Sequence, residues 1–357
     1  MAGPSTSSSP SKNSRSASTA DNMRAIVESS PQKPPLILLV GPTASGKTRL
    51  AVELAEALPG EVINADSMQV FRGLDVGTDK PSAADRARVR FHAVDIIDPG
   101  DSFDAARFAE LGAETVQDIH SRGKIALAAG GTGLYQRALR FGLVEVPARS
   151  DEIRAVLRER RDLEGVEALY DELRRVDPET AARIHSNDWV RVERALEVYT
   201  LTGRKMSDAQ EAHGFAEERF RSCLVGCARP RELLYQGIEQ RLDEMWSGGL
   251  IAETEKLLSA GLSREVLPLK ALGYRHAAAM LCNEMRSDEA LEGAKRDTKR
   301  FAKRQLTWYR KEPGITWLRS PLSATEVRTL TERLRAQAEQ GTPVDWTGLP
   351  VEDVSTL

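Results

Sequence analysis

The chain has 357 residues, 41% hydrophobic and 29% charged, enough for a large buried core in a soluble protein. A formal net charge of -3 excludes a globally basic nucleic-acid binder, so any RNA-facing charge must be local. Three cysteines, Cys223, Cys227 and Cys282, argue against a disulfide framework, and no Cys or His cluster joins the Cys223–Cys227 pair to make a metal site.

Residues 1–34 are rich in Ser, Pro, Lys and Arg and lack an apolar core, which predicts a disordered tail rather than a secretory signal. Arg15, Arg24 and the serines also suit an organellar transit peptide, the less favoured reading. No apolar run reaches the roughly 20 residues that span a bilayer. From Pro35, "LILLV" predicts a buried strand, and Leu50, Leu54 and Leu58 follow at helical spacing. "EVINADSMQV" predicts a second strand ending near Asp66, "FHAVDIIDP" a third, and "KIALAAGG" a fourth after a helix over "SFDAARFAELGAETVQDIHSRG". Strands alternating with helices imply a parallel sheet. Between about Phe141 and Phe220 strand signals vanish and charged helical stretches dominate. "SCLVGCA" then reads as a returning strand, further helices follow, and "ITWL" reads as a last strand. The expected organisation is a discontinuous α/β core over 35–140 and 221–320, a helical insertion over 141–220, and a C-terminal helix and tail over 321–357.

Gly41-Pro42-Thr43-Ala44-Ser45-Gly46-Lys47-Thr48 fits the phosphate-loop pattern, with an apolar strand before it and an amphipathic helix after it. Its glycines let backbone N–H groups turn toward phosphate oxygens, Lys47 adds a point charge, and the Thr48 hydroxyl can sit on Mg²⁺. The motif specifies a diphosphate or triphosphate but not a nucleotide. An NTP-hydrolysing site also needs an acid at a neighbouring strand end, for which Asp66, Asp95 and Asp98 are the candidates. Asp66 lies just past a strand, where ligands bind in parallel sheets, and Ser67 and Gln69 offer donors and acceptors to a base edge. A helix N-cap is an equally weighted role for Asp66 on spacing alone.

The segments "GPTASGKT", "INADSMQVFRGLDVGTDKP", "GGTGLY", "RIHSNDWVRVERALEVY", "KALGYR" and "AKRQLTWYR" occur in one order between about Pro35 and Leu318. Together they resemble the tRNA dimethylallyltransferases of bacterial type. The resemblance implies an α/β fold with a P-loop kinase-like core, a parallel sheet flanked by helices, and an all-helical insertion. It implies transfer of the dimethylallyl group of dimethylallyl diphosphate to N6 of the adenosine 3′-adjacent to the anticodon in tRNA. Gly41 to Thr48 would then hold the donor's diphosphate, with Mg²⁺ on Thr48, while Thr43 bonds the bridging or leaving oxygen and Arg231 clamps the diphosphate. Arg suits a clamp because its fork is planar and bidentate. Asp66 would be the general base that takes the amine proton, because the amine lone pair is delocalised into the ring.

Residues matching the family's tRNA contacts are Asp66, Ser67, Met68, Gln69, Thr132, Arg154, Val190, Arg191, Val192, Glu193, Arg194, Lys270 and Arg275. His276 follows "GYR" where the family has Gln or Glu and is given no contact. No Cys/His pair follows Cys282, so the zinc finger of eukaryotic members is not expected, and a cytoplasmic monomer acting on the tRNA anticodon stem-loop is.

Lys295, Lys299 and Lys303 recur every fourth residue and Arg296, Arg300 and Arg304 repeat the spacing, which predicts a cationic helical stripe for RNA. Phe301, Trp308 and Tyr309 are expected in the core rather than as stacking platforms. The rival readings are an adenylate isopentenyltransferase acting on free nucleotides, a small-molecule kinase using ATP, and a non-catalytic RNA-binding protein with a vestigial loop.

Overall fold

The structure, a computed structural model, describes residues 33–353 apart from 145, 215 and 216. The tail expected over 1–34 lies outside the described residues except at its end. Strand β1 (Pro35–Val40) is buried along its whole length, as an apolar run without alternation requires when both faces of a sheet are covered. It sits inside a six-stranded sheet of order β3-β2-β4-β1-β5-β6. The other strands are β2 (Gly60–Asn64), β3 (Phe91–His92), β4 (Ile125–Ala129), β5 (Arg221–Ala228) and β6 (Ile315–Arg319). Every pairing is parallel.

Helix α1 (Lys47–Ala57) follows β1, α2 (Ala83–Arg88) precedes β3, α3 (Ala105–Ser121) precedes β4, and α4 (Gly133–Phe141) follows it. Helices α5 (Asp151–Glu164), α6 (Val166–Val176), α7 (Pro178–Arg183), α8 (Trp189–Thr202) and α9 (Met206–His213) occupy the interval before β5. After β5 come α10 (Arg231–Met245), α11 (Ile251–Ser259), α12 (Tyr274–Leu281) and α13 (Ser287–Tyr309), and α14 (Ala324–Gln340) follows β6.

The alternation of β1 divides the core in two. Leu36, Leu38 and Val40 pack with Phe108, Leu139, Leu234 and Tyr309 on one face. Ile37 and Leu39 pack with Leu50, Leu54, Leu330 and Leu334 on the other. The α5–α9 segment keeps a separate core of Leu157, Leu169, Leu173, Val192 and Leu196, so it is not held by the sheet's hydrophobic layers. No helix of the described residues is long and apolar enough to cross a membrane.

Two expected strands are shorter than their patterns suggested. β2 stops at Asn64, because the Asn64 amide donates to the Ala93 carbonyl at 3.0 Å and its carbonyl accepts from Asp66 N–H at 3.2 Å, turning the chain before Asp66. β3 is two residues long, since Ala93 and Asp95 take φ of 57° and 56°, which no strand accommodates.

Gly130, at the end of β4, shows how tightly the site is built. A Cβ there would lie 2.2 Å from the Ala65 backbone, whereas one at Gly248 would meet nothing within 4 Å. Gly130→Ala should therefore destabilise by about 3 kcal/mol, as overpacked cores do, and Gly248→Ala by far less. Thermal midpoints of the two variants measure the difference; equal midpoints would show that the backbone at Gly130 yields.

Candidate active site

β1 and β4 lie side by side, and their onward connections run toward opposite edges of the sheet. Such a crevice at the carboxyl ends of the strands is where an open parallel sheet binds its ligand. The phosphate loop fills it. Gly46, in the left-handed region at φ 89°, caps α1 and lets the loop enter the helix without Cβ strain. The first-turn N–H groups of α1 have no partner within the helix, and the helix dipole puts partial positive charge there. Lys47 Nζ donates to the Pro42 carbonyl at 2.6 Å. Thr43 N–H donates to Gln305 Oε1 at 2.8 Å, and Gln305 Nε2 donates to the Gly131 carbonyl at 2.9 Å.

Two cavities meet at the loop. One, of about 480 Å³, is walled by Lys47, Thr48, Arg229 and Gln305. The other, of about 350 Å³, is walled by Met68, Leu242, Met245, Leu267, Lys270 and Arg275. Thr43, Asp66, Asp79, Arg241 and Phe301 line both. The first wall is cationic and hydroxylic and suits phosphate oxygens; the second is largely apolar with a basic rim.

Asp66 stands at the junction. Burial raises its pKa above the ordinary carboxylate range, against the pull of the Met68 N–H and Lys47. Met68 N–H donates to Asp66 Oδ1 at 2.9 Å, which fixes the carboxylate toward its own turn. Burial pushes Lys47 down to about 8, although Cys227 and Asp66 work the other way. Burial likewise pushes the Cys227 thiol up to about 11, so this cysteine is packed as a neutral thiol.

The structure brings most of the sequence-predicted residues to this place and moves some away. Gly46, Lys47, Thr48 and Asp66 line the first cavity. Ser67, Met68, Thr132, Lys270 and Arg275 line the second, and Ser67 N–H donates to Thr132 Oγ1 at 3.1 Å. Gln69 is buried on the wall of the first cavity, and its amide Nε2 donates to the Thr78 and Asp79 carbonyls at 3.0 Å each, so its donor end shapes the loop.

Arg231 lies away from both cavities. It opens α10 and lies exposed over the Tyr235 ring. Arg241, ten residues and roughly 15 Å further along the same helix, donates to Thr43 Oγ1 and to Asp79 Oδ2. Arg229, from the turn after β5, donates to the Ala44 carbonyl at 3.1 Å. Both of these arginines line the first cavity.

The run Val190 to Arg194 is divided among different surroundings. A helix cannot turn five successive residues to one partner. Val190 and Arg191 face outward, with Arg191 paired to Asp188. Val192 is fully buried in the helical core. Glu193 is buried and accepts from Arg158 Nε at 2.9 Å. Arg194 and Arg154 both pair with the buried Glu197, at 2.6 and 2.9 Å. Arg154 is therefore an internal brace between α5 and α8, and lines neither cavity.

Of the aromatic residues expected in the core, Tyr309 is buried but Phe301 lines both cavities. Asp95 pairs with Lys80 and Arg86, and Asp98 with Arg72. Neither lines a cavity beside the loop. Among the described residues no three His, Cys, Asp or Glu side chains gather to hold a metal alone. The oxygen donors on the first cavity wall, Thr48, Asp66 and Asp79, suit a hard cation that takes its remaining ligands from substrate phosphates and water.

Comparison with known proteins places this geometry. Residues 69–312 match the family model described as IPP transferase. The chain is 47% identical over 298 residues to tRNA dimethylallyltransferase 2 of Geotalea daltonii, covering 84% of this chain and 91% of that one. It is 48% identical over 290 residues to the tRNA dimethylallyltransferase of Geobacter metallireducens, covering 81% and 94%. Among solved structures, a full-length tRNA isopentenylpyrophosphate transferase from Bacillus halodurans superimposes with a TM-score of 0.64 at 37% identity, covering 86% of this chain and 98% of that one. A eukaryotic dimethylallyltransferase captured acting on tRNA gives a TM-score of 0.74 at 26% identity, covering 87% and 81%. With the loop, Asp66 and the two cavities arranged as described, the chain belongs to the IPP transferase family, that of the tRNA dimethylallyltransferases.

Proposed function

We propose that the protein transfers a dimethylallyl group from dimethylallyl diphosphate to the exocyclic amine of an adenosine in tRNA, next to the anticodon on its 3′ side. The observation that carries this reading is the placement of Asp66 and Thr43 on the wall shared by a phosphate-suited cavity and a more apolar, base-sized one. The donor's diphosphate lies against the loop, and the flipped adenine enters from the other cavity beside Met68, Phe301 and the basic rim. Asp66 accepts the N6 proton as the N–C bond forms and the allylic C–O bond breaks. Arg241 and the Thr43 hydroxyl, already bonded to each other, meet the oxygen that leaves. Lys47 and the first-turn N–H groups of α1 stabilise the charge that gathers on the diphosphate. Mg²⁺, held through Thr48 and the substrate phosphates, supplies further charge neutralisation when bound.

Of the acids a kinase reading would draw on, Asp95 and Asp98 are paired away from the loop. That leaves Asp66 as the only one of the three candidate acids beside the phosphates. A free-nucleotide acceptor leaves the exposed face of α13 unexplained. Arg296, Arg300, Lys303 and Arg304 are exposed there, while Lys295 and Lys299 turn inward to Asp243 and Glu239.

Asp66→Ala should lower kcat by about 100-fold or more, the usual range for a lost general base, with the thermal midpoint and tRNA affinity retained. A wild-type rate in that variant would remove Asp66 from the chemistry.

The pH profile has a definite shape. Asp66 must be ionised to take a proton, and its raised pKa puts the acid limb of kcat/KM above the ordinary carboxylate range. Lys47 must be protonated, and its lowered pKa makes kcat/KM for the donor fall as pH rises through about 8. Lys47→Arg stays charged throughout and should keep the acid limb while losing the alkaline one. An alkaline limb unchanged in that variant would exclude Lys47 as its origin.

Replacing Arg296 and Arg300 together by Ala should weaken tRNA binding and reduce the slope of log affinity against log salt by about 2, near one unit for each lost phosphate contact. An unchanged slope would take the outer face of α13 out of the RNA interface.

A further inference from the structure

We propose that Arg229 is a second arginine of the donor site, one that grips the phosphates, and that Gly237 is the position that admits it. The proposal rests on the donor reading above and extends it to a residue the motifs do not contain.

Position 237 lies one turn before Arg241 on α10, so the two share the face turned to the phosphate loop. Both residues line the first cavity. Gly237 leaves that face open, and the Arg229 guanidinium occupies the gap: a Cβ at 237 would lie 2.9 Å from Arg229 Nη1. From there Nη1 reaches the Ala44 carbonyl of the loop at 3.1 Å. The guanidinium of Arg229 thus lies beside the turn of α10 that carries Arg241, against the same loop.

The other arginines on this wall differ in how they are compensated, while Lys47, which among the described residues likewise has no ion-pair partner, donates to the Pro42 carbonyl at 2.6 Å. Arg49 pairs with Glu53 at 2.8 Å and Arg241 with Asp79 at 2.8 Å. Among the described residues, Arg229 has no carboxylate within ion-pair distance, and its buried Nε has no hydrogen-bond partner. A half-buried guanidinium with one neutral acceptor and no counter-charge is costly to maintain. It becomes favourable once an anion with several oxygens enters, because five fixed donors match phosphate geometry. A diphosphate seated on the loop beside Ala44 is that anion.

The experiment is equilibrium binding of inorganic diphosphate, dimethylallyl diphosphate and dimethylallyl monophosphate, with Mg²⁺, to the full-length wild type, Arg229→Ala, Arg229→Lys and Gly237→Val. Thermal midpoints and tRNA affinity are measured alongside. Arg229→Ala should bind both diphosphates about tenfold to a hundredfold more weakly, the range for a lost charged hydrogen bond, and lose its preference over the monophosphate. Lys at 229 should recover part of the loss, since it restores charge without the fork. Gly237→Val should imitate Arg229→Ala by displacing the guanidinium, with tRNA affinity unchanged in every variant. Diphosphate binding in Arg229→Ala within about twofold of wild type would overturn the proposal. So would equal losses for diphosphate and monophosphate with a lowered midpoint, which would make Arg229 only a brace for Ala44. A wild type that binds neither diphosphate would instead sink the donor reading, and this proposal with it.

Discussion

The arrangement depends on one buried amide. Gln305 sits near the end of α13 and accepts from the Thr43 N–H while donating to the Gly131 carbonyl. It therefore joins three segments that are far apart in sequence: the phosphate loop after β1, the turn after β4, and the helix that carries the cationic stripe. Each backbone group it satisfies is one the parallel ladder leaves open at the carboxyl edge of the sheet. A buried amide with both ends used fixes geometry more firmly than an apolar contact, because leaving either end unpaired costs a full desolvation penalty. Thr43, whose hydroxyl meets Arg241, is thus held through its backbone from one side and its side chain from the other.

The charges around Thr43 follow from that packing. Burial acts on Asp66 and Lys47 in opposite directions on the pH scale, raising one and lowering the other. It narrows the gap between a group that has to lose its proton and a group that has to keep it. A carboxylate exposed to water would be a weaker base, and a lysine exposed to water a less concentrated charge. The same crevice therefore makes Asp66 a better proton acceptor and makes Lys47 sensitive to what fills the site. Dividing the space into a cationic cavity and a more apolar one separates leaving group from acceptor, with Asp66 on the shared wall.

What the sequence revealed and what it withheld divide along a physical line. The phosphate loop, the strand end before Asp66 and the succession of strands along the chain are legible because each is set by residues adjacent in the chain: a glycine pattern, a strand end, an apolar run. Arg241 and Gln305 are not, since their roles come from tertiary approach. Nothing local distinguishes Arg231 from Arg241, and only the register of α10 against the loop chooses between them. Phe301 reads as core from sequence because an aromatic residue at helical spacing usually is. It faces a cavity instead, as part of the wall between the two sites. The run from Val190 to Arg194 shows the same limit within one helix. Helical geometry buries Val192 and Glu193 while exposing Val190 and Arg191, so a motif continuous in sequence is not continuous on a surface.

The α5–α9 segment shows how charge serves structure in one place and recognition in another. Glu193 and Glu197 are buried, and Arg154, Arg158 and Arg194 converge on them. Despite its burial, Glu197 is held well below the ordinary carboxylate range by Arg154 and Arg194. These ion pairs fix α5 against α8; a partner that took the arginines away would strand two buried carboxylates. On α13 the balance is reversed. Arg296 and Arg300 share the single Asp297 at 3.9 and 3.3 Å while remaining mostly exposed, and so retain charge that a polyanion can use. Reach to RNA is therefore set by how few carboxylates surround each arginine, which counts of basic residues along the chain do not report. Gln305 adds the final constraint: the helix that offers these arginines to solvent also holds the Thr43 backbone, so the cationic face and the phosphate loop are tied together by one buried amide.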